Sequence, residues 1–201
     1  MLSKMSAADR EKWDRKYSQL KLSEVVQADD WLIEACETIA HLTTGGESRK
    51  RALDIACGTG HNSIWLAQNG WNVDGADVSS AGLALAQQHA TESGYEVNWL
   101  EVDLDDWLPA ENSYDLAIVF RFLDRLTVPQ VINAGLQSGG WLIYETFAAG
   151  QLDRPDSHIH NPAFTLAPDE LPKLFPDFDV ISFREDALNN RTVQRLLARR
   201  Q

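Results

Sequence analysis

Asp54 and Asp77 bracket the part of this 201-residue chain best equipped for chemistry. The run Leu53-Asp54-Ile55-Ala56-Cys57-Gly58-Thr59-Gly60 reads as a short apolar strand, a tight glycine turn and the start of a helix. Asp77 ends a second strand about 20 residues further on. Glycines let bare backbone approach a ligand, and a carboxylate after the second strand offers two acceptor oxygens to ribose hydroxyls. This is the layout of a nucleotide-cofactor half-site. Dinucleotide loops, however, use G-x-G-x-x-G so that a pyrophosphate rests on the helix N-terminus. Here Ser63 stands where the third glycine belongs, and His61-Asn62 stand where a P-loop carries lysine. Nothing is placed to neutralise a phosphate chain. The acid at position 54 instead suits a ligand carrying an ammonium group.

Other reactive residue types cluster further along. Arg121 and Arg125 follow an apolar strand, at the sheet edge where open α/β folds bind ligands. They suit an anionic acceptor or a cofactor carboxylate; equally, Arg121 pairs with Asp124 or Glu145 for structure. Glu145-Thr146 ends a further strand facing the same crevice. His158 and His160 lie in a long loop with Asp153 and Asp156, where an i, i+2 pair is a poor metal signature. No metal is expected, and the loop reads as a lid over an acceptor pocket. Cys57 reads as a small residue at a crowded turn, not a nucleophile.

The elements that must position these groups alternate along the chain. Helices are expected over residues 7–20 and 31–42, the second ended by Gly45-Gly46. Strands follow over 52–56, 71–77, 97–102, 115–120 and 141–145. Helices over 61–69 and 80–93 separate the first three, and a helix capped by Thr127 with Pro129 in its first turn precedes the fifth. A short helix over 168–175 leads to a closing pair of strands, 180–184 and 192–198. Their link is too short for a parallel crossover, so the pair is antiparallel. The pattern predicts an α/β fold: a Rossmann-like, doubly wound, seven-stranded mixed sheet, mostly parallel, with an antiparallel strand at one edge and helices at the N-terminus.

Composition narrows the partners. A formal net charge of -12 repels phosphate backbones, so nucleic acid is not expected. Two distant cysteines, no signal peptide and no run near the roughly 20 apolar residues of a membrane span point to the cytoplasm.

Residues 53–79, LDIACGTGHNSIWLAQNGWNVDGADVS, resemble the first two motifs of class I S-adenosylmethionine-dependent methyltransferases. YDLAIVFRFLDR and SGGWLIYETF resemble the same family's fourth and fifth strands with their flanking turns. Within it the chain looks most like the small tellurite-resistance-type enzymes, on the grounds of W-D-x-x-Y (Trp13, Asp14, Tyr17), G-H-N-S and the ending REDALNNRTVQRLLAR.

The resemblance implies S-adenosyl-L-methionine as cofactor, with S-adenosyl-L-homocysteine as product. It implies one domain over 1–201: a helical cap (1–50), a cofactor-binding core (51–147) and an acceptor-side loop, helix and closing strands (148–201). Asp54 would hold the cofactor ammonium, and Ala56, Gly58 and Gly60 would bring backbone to its methionine end. Asp77 would take the ribose, Val78 would flank adenine, and Asp103 with the Leu104 N–H would read the adenine edge. Phe120 would face the sulfonium. Tyr17 would fold over the cofactor or pack with Trp13. Arg121 and Glu145 are the candidates for positioning the acceptor. The missing Asn/Asp-Pro-Pro-aromatic signature after the fourth strand argues against base or glutamine methylation. A small-molecule acceptor is expected, on a monomer or homodimer without membrane contact. The alternative is a non-catalytic cofactor-binding sensor or partner subunit.

Overall fold

Short apolar runs punctuated by glycine and serine fold here as alternating strands and helices. A computed structural model of the chain describes residues 7–20, 27–43 and 50–201. Two helices, α1 (Ala7–Tyr17) and α2 (Asp30–Leu42), come first. Then follow β1 (Arg51–Ile55), α3 (His61–Gln68), β2 (Asn72–Asp77), α4 (Ser80–Ser93), β3 (Asn98–Glu101), β4 (Tyr114–Phe120), α5 (Thr127–Gly135) and β5 (Leu136–Phe147). Short 3-10 turns lead to β6 (Phe178–Ala187) and β7 (Thr192–Arg200).

All seven strands join one sheet in the order β3-β2-β1-β4-β5-β7-β6. The first five run parallel, and β7 is antiparallel to both β5 and the outermost β6. This is the expected doubly wound, Rossmann-like mixed sheet. The winding reverses between β1 and β4, the place where such sheets bind ligands beyond the strands' C-terminal ends.

Strand periodicity sorts the side chains into two cores. On one face Leu53, Ile55, Ala117, Val119, Leu142 and Tyr144 pack under α5 and the Leu171–Phe175 segment. On the other, Ala52, Leu116, Ile118, Trp141 and Ile143 pack under Trp31, Leu32, Ala35 and Ile39 of α2. Asp54 and Glu145 share the parity of that second set, so both carboxylates are aimed into the α2 side of the sheet.

Local chemistry sets the helix ends. Ser79 caps α4 through its Oγ, which accepts from the Gly82 N–H at 3.1 Å, and Gly94 closes it in the left-handed region. Thr127 does not cap α5. Asp124 Oδ1 accepts from both the Leu126 and Thr127 N–H groups, at 2.8 and 2.7 Å. Residues 168–175 form only a four-residue 3-10 turn, Leu171–Leu174. Pro172 at its start supplies no N–H to extend an α-helical ladder. β5 begins five residues before Trp141, because Leu136 pairs with Tyr114 across a bulge. Gly45-Gly46 lies outside the described residues. Among those described, no helix is long and apolar enough to cross a membrane.

Candidate functional site

The glycine turn is stitched together by the two acids that bracket it. Asp77 takes the Gly58 N–H on Oδ2 at 2.8 Å and the Ser79 N–H on Oδ1 at 2.9 Å. One carboxylate thus fixes the turn after β1 and the entry to α4 together. Burial lifts its carboxyl above the usual range, against the lowering effect of those main-chain bonds. Asp54 is 2% exposed and accepts only the Ser63 hydroxyl, at 2.6 Å, among the described residues. Gly75 lies opposite it in register, and a Cβ there would come within 3.1 Å of Ser63 Oγ. Burial pushes the Asp54 carboxyl up to about 7; the Ser63 bond opposes this, and the charges of Asp77 and Asp29 add to it. Arg121 acts on it only at a distance, and a buried carboxylate without an ion-pair partner among the described residues is what an incoming ammonium group would complete.

The turn needs unusual backbone: Ala56, Gly58 and Gly60 all have positive φ, at 57°, 56° and 76°. The two glycines face different neighbours. The Tyr17 ring covers Gly58, its Oη only 2.6 Å from where a Cβ would stand. Gly60 faces inward instead. A Cβ there would lie 2.4 Å from the Trp99 ring and 2.8 Å from Ala86 Cβ, so packing demands this glycine. The missing side chain of Gly60 thus makes room for Trp99 and Ala86, while its backbone remains part of the turn.

Tyr17 reaches the turn because α1 is fastened across the N-terminus of α4. Asp14 Oδ1 accepts from Ser79 Oγ at 2.6 Å and from the Ala81 N–H at 3.2 Å. Tyr17 also stacks with Trp13, ring centroids 5.8 Å apart, so it packs in α1 while its ring covers the glycine turn. Val78 and Leu104 are buried beside the turn side of the sheet. Asp103 is half-buried and accepts the Asp105 N–H at 3.1 Å, which shapes its own loop.

Arg121 does not pair with Asp124 or Glu145. Its Nη1 donates to Asp29 Oδ1 at 2.5 Å, and its Nη2 lies 3.0 Å from His61 Nε2. Asp29 stands at the N-cap of α2 but makes no side-chain cap there. Its carboxylate instead meets Arg121, His61, Asn62 and Arg191. Burial works against the charged form, but the His61 and Arg121 bonds outweigh it and hold Asp29 well below the usual range. Glu145 is fully buried, with Arg191 Nε on one oxygen at 3.0 Å and Arg195 Nε on the other at 2.8 Å. Held this way it is a structural anion, which removes it as an acceptor-positioning group or general base. Phe120 is buried in the α2-side core.

Arg125 clamps the acceptor-side loop, donating to Glu170 and to the carbonyls of Ala163 and Thr165. The start of that loop is pinned to the β6–β7 connection, where Arg154 donates to the Leu188 and Asn189 carbonyls. His158 and His160 are exposed, and His158 packs edge-on against Phe147. A groove of about 680 Å³ lies at the opposite end of β2 and β3 near Asp74 and Asn98, away from the turn.

Asp29, Trp99 and Arg191 carry much of this arrangement without standing out in the sequence, and Ser63, notable there only as a missing glycine, is the partner of Asp54. An Asp29-Asp30 doublet before an apolar-periodic helix has the form of a helix cap, and nothing local marks it as the centre of an ion-pair cluster.

Residues 52–138 match the sequence family described as a methyltransferase domain. The ubiquinone biosynthesis O-methyltransferase of Paraburkholderia phymatum is 36% identical over 53% of this chain and 46% of its own length. The chain spans about half the length of the curated relatives it matches. TehB from Haemophilus influenzae superposes with a TM-score of 0.69 at 21% identity, over 94% of this chain and 67% of that one. Magnesium protoporphyrin IX methyltransferase (ChlM) from Synechocystis, solved with bound S-adenosylmethionine, gives 0.69 at 18% identity over 96% of each. At such identities the two structures share the fold.

Proposed function

We propose that this chain, a class I S-adenosylmethionine-dependent methyltransferase by family and fold, moves a methyl group from that cofactor to a small-molecule acceptor. The observation that carries the reading is the glycine turn, held between the buried Asp54 and Asp77 at the point where the sheet reverses. The residues fit the cofactor. Asp54 has no ion-pair partner among the described residues, Asp77 retains lone pairs for ribose hydroxyls, and Tyr17 roofs Gly58. S-adenosylmethionine, when bound, supplies an electrophilic methyl group and its own leaving group for in-line displacement.

The protein's share is placement and exclusion of water. In this reading Asp54 holds the ammonium, Asp77 the ribose, and Val78, Asp103 and Leu104 the adenine. The Arg121–Asp29–His61 cluster forms the wall beyond β4. Asp29 and Glu145 are both committed to arginines, so neither carboxylate is free to serve as a base there, and an acceptor that needs little deprotonation suits the site. Nucleic acid is a poor acceptor for a chain of this net charge.

The same locking of Arg121 and Glu145 favours a second reading, a cofactor-binding sensor without turnover. Calorimetry with S-adenosylmethionine, S-adenosylhomocysteine and NAD tests the first step. Binding of the first two and not the third is expected; no binding of either sinks both readings. Release of S-adenosylhomocysteine across an acceptor panel then separates enzyme from sensor.

A further inference from the structure

The chain is acidic, yet the side of α1 turned toward the acceptor side of the fold is not. Lys12 and Lys16 are one helical turn apart there, beside the aromatic pair Trp13 and Tyr17. Lys12 Nζ lies 5.6 Å from the Trp13 ring and 5.8 Å from the Phe164 ring. It therefore stands between α1 and the Pro162–Phe164 turn of the acceptor-side loop. Lys16 Nζ sits 4.5 Å over Trp13 and 5.9 Å from the Tyr17 ring, which itself covers Gly58. Neither lysine has a carboxylate partner among the described residues. The protein packed around its ammonium end, and after it the charges of Arg121 and Lys12, push Lys16 below the usual lysine range, although the residue as a whole is exposed.

Two cations, crowded by a third, would ordinarily recruit acids in a chain with 30 of them. Here they rest on aromatic faces instead. Phe164, opposite them, leaves 49% of its surface in solvent. The rings supply a flat apolar wall and the ammonium groups supply unspent positive charge. A neutral molecule would use only the wall, and a cation would be repelled.

We propose that the acceptor is a small aromatic anion, its ring against Phe164 and its carboxylate or other anionic group on Lys12 and Lys16. This rests on the methyltransferase reading, because it places the molecule on the open side of the Tyr17-covered turn. Lys12, Lys16 and Phe164 are then specificity-determining residues.

Three catechols of matched shape serve as probes: caffeate, its methyl ester and dopamine. Each is titrated calorimetrically into protein saturated with S-adenosylhomocysteine. Caffeate should bind at least about tenfold more tightly than the ester, the size of one charge-assisted bond, and dopamine more weakly still. The Lys12→Ala/Lys16→Ala variant should lose most of that preference while its S-adenosylhomocysteine affinity stays within about twofold. Both positions are exposed on a helix that tolerates alanine, so folding is preserved. Phe164→Ala should weaken caffeate and its ester alike. Equal affinity for caffeate and ester, no caffeate binding, or an unchanged preference in the lysine variant would overturn the proposal. So would a tenfold loss of S-adenosylhomocysteine affinity in that variant, which would assign the lysines to the cofactor. Failure of wild-type protein to bind S-adenosylhomocysteine would sink the cofactor reading instead. The three probes would then be titrated into free protein, with the same outcomes deciding.

Discussion

Asp29 reaches from the start of α2 to Arg121 at the end of β4, across 92 residues of sequence, and the pair closes at 2.5 Å. This contact explains two oddities at once. Asp29 forgoes its helix cap because its carboxylate is committed elsewhere. Arg121 sits at positive φ, 56°, a conformation that a non-glycine residue holds only when its surroundings compel it. The ion pair, with the Arg121 N–H donating to the Glu145 carbonyl at 2.8 Å, does the compelling. The N-terminal segment is thereby locked to the edge of the crevice.

Asp29→Ala should therefore cost more than a lost cap. It strands Arg121, Arg191 and His61 beside one another without their shared anion. Removing one partner of a buried pair costs roughly 3–5 kcal/mol, and because Arg121 is about one-third exposed the loss should be nearer 2–3 kcal/mol. Urea denaturation measures it. Combined with Arg121→Ala, the two changes should fall well short of additive; additive losses would show that the pair does not couple.

The buried Asp54 sets a pH dependence for cofactor binding. Its folded-state value near 7 lies above the unfolded carboxylate value, so the charged form is the strained one. From about pH 4 to 7 the folded chain binds the extra proton, and this group's contribution to stability falls as pH rises. An ammonium ligand reverses the preference by favouring the carboxylate. Binding of S-adenosylhomocysteine near pH 6 should release a proton, and affinity should rise toward pH 7 and then level. Calorimetry in buffers of different ionisation enthalpy reads the proton count, and Asp54→Asn should abolish it. Proton-neutral binding by the wild type would move the ammonium site elsewhere.

Much of this was legible in the chain. The parallel core could be read because its strands are short apolar runs with glycine or serine at their ends, and Asp54 and Asp77 because their spacing is local. β5 was read too short since Gly139, at φ 76°, looks like a break while the sheet absorbs it as an irregularity. The partners of Arg121 and Glu145 were out of reach for a different reason. They are 92, 46 and 50 residues away, and only the sheet order brings them together.

Gly60 and Gly70 offer a matched comparison. Both have positive φ, 76° and 84°, so alanine pays the left-handed penalty of about 1–2 kcal/mol at either. Nothing lies within 4 Å of a Cβ on Gly70, whereas one on Gly60 meets Trp99 and Ala86. Gly60→Ala should lose a further 1–3 kcal/mol or so from overpacking. Thermal denaturation of both variants gives the difference, and Trp99→Leu should recover part of it only in the Gly60→Ala background. Equal losses would mean that the slot around Trp99 relaxes freely.

The fastening of α1 rests on Asp14, whose bonds to Ser79 Oγ and the Ala81 N–H also satisfy the start of α4. Those bonds hold its carboxyl below the usual range, so the fastening is present above the unfolded value and is lost as pH falls through the lower folded one. Asp14→Ala removes it at every pH. Because α1 packs mainly on α4, with Tyr17 over the Gly58 turn, the loss should be local. Amide exchange across α1 should speed by about tenfold, as expected for roughly 1.4 kcal/mol, while β1, β4 and β5 stay as protected as before. If Tyr17 roofs the bound cofactor, S-adenosylhomocysteine should also dissociate several-fold faster from this variant, with little change in its association rate. Faster exchange throughout the sheet would show that Asp14 supports the whole fold, and unchanged exchange in α1 would show that the helix is held by its aromatic contacts alone.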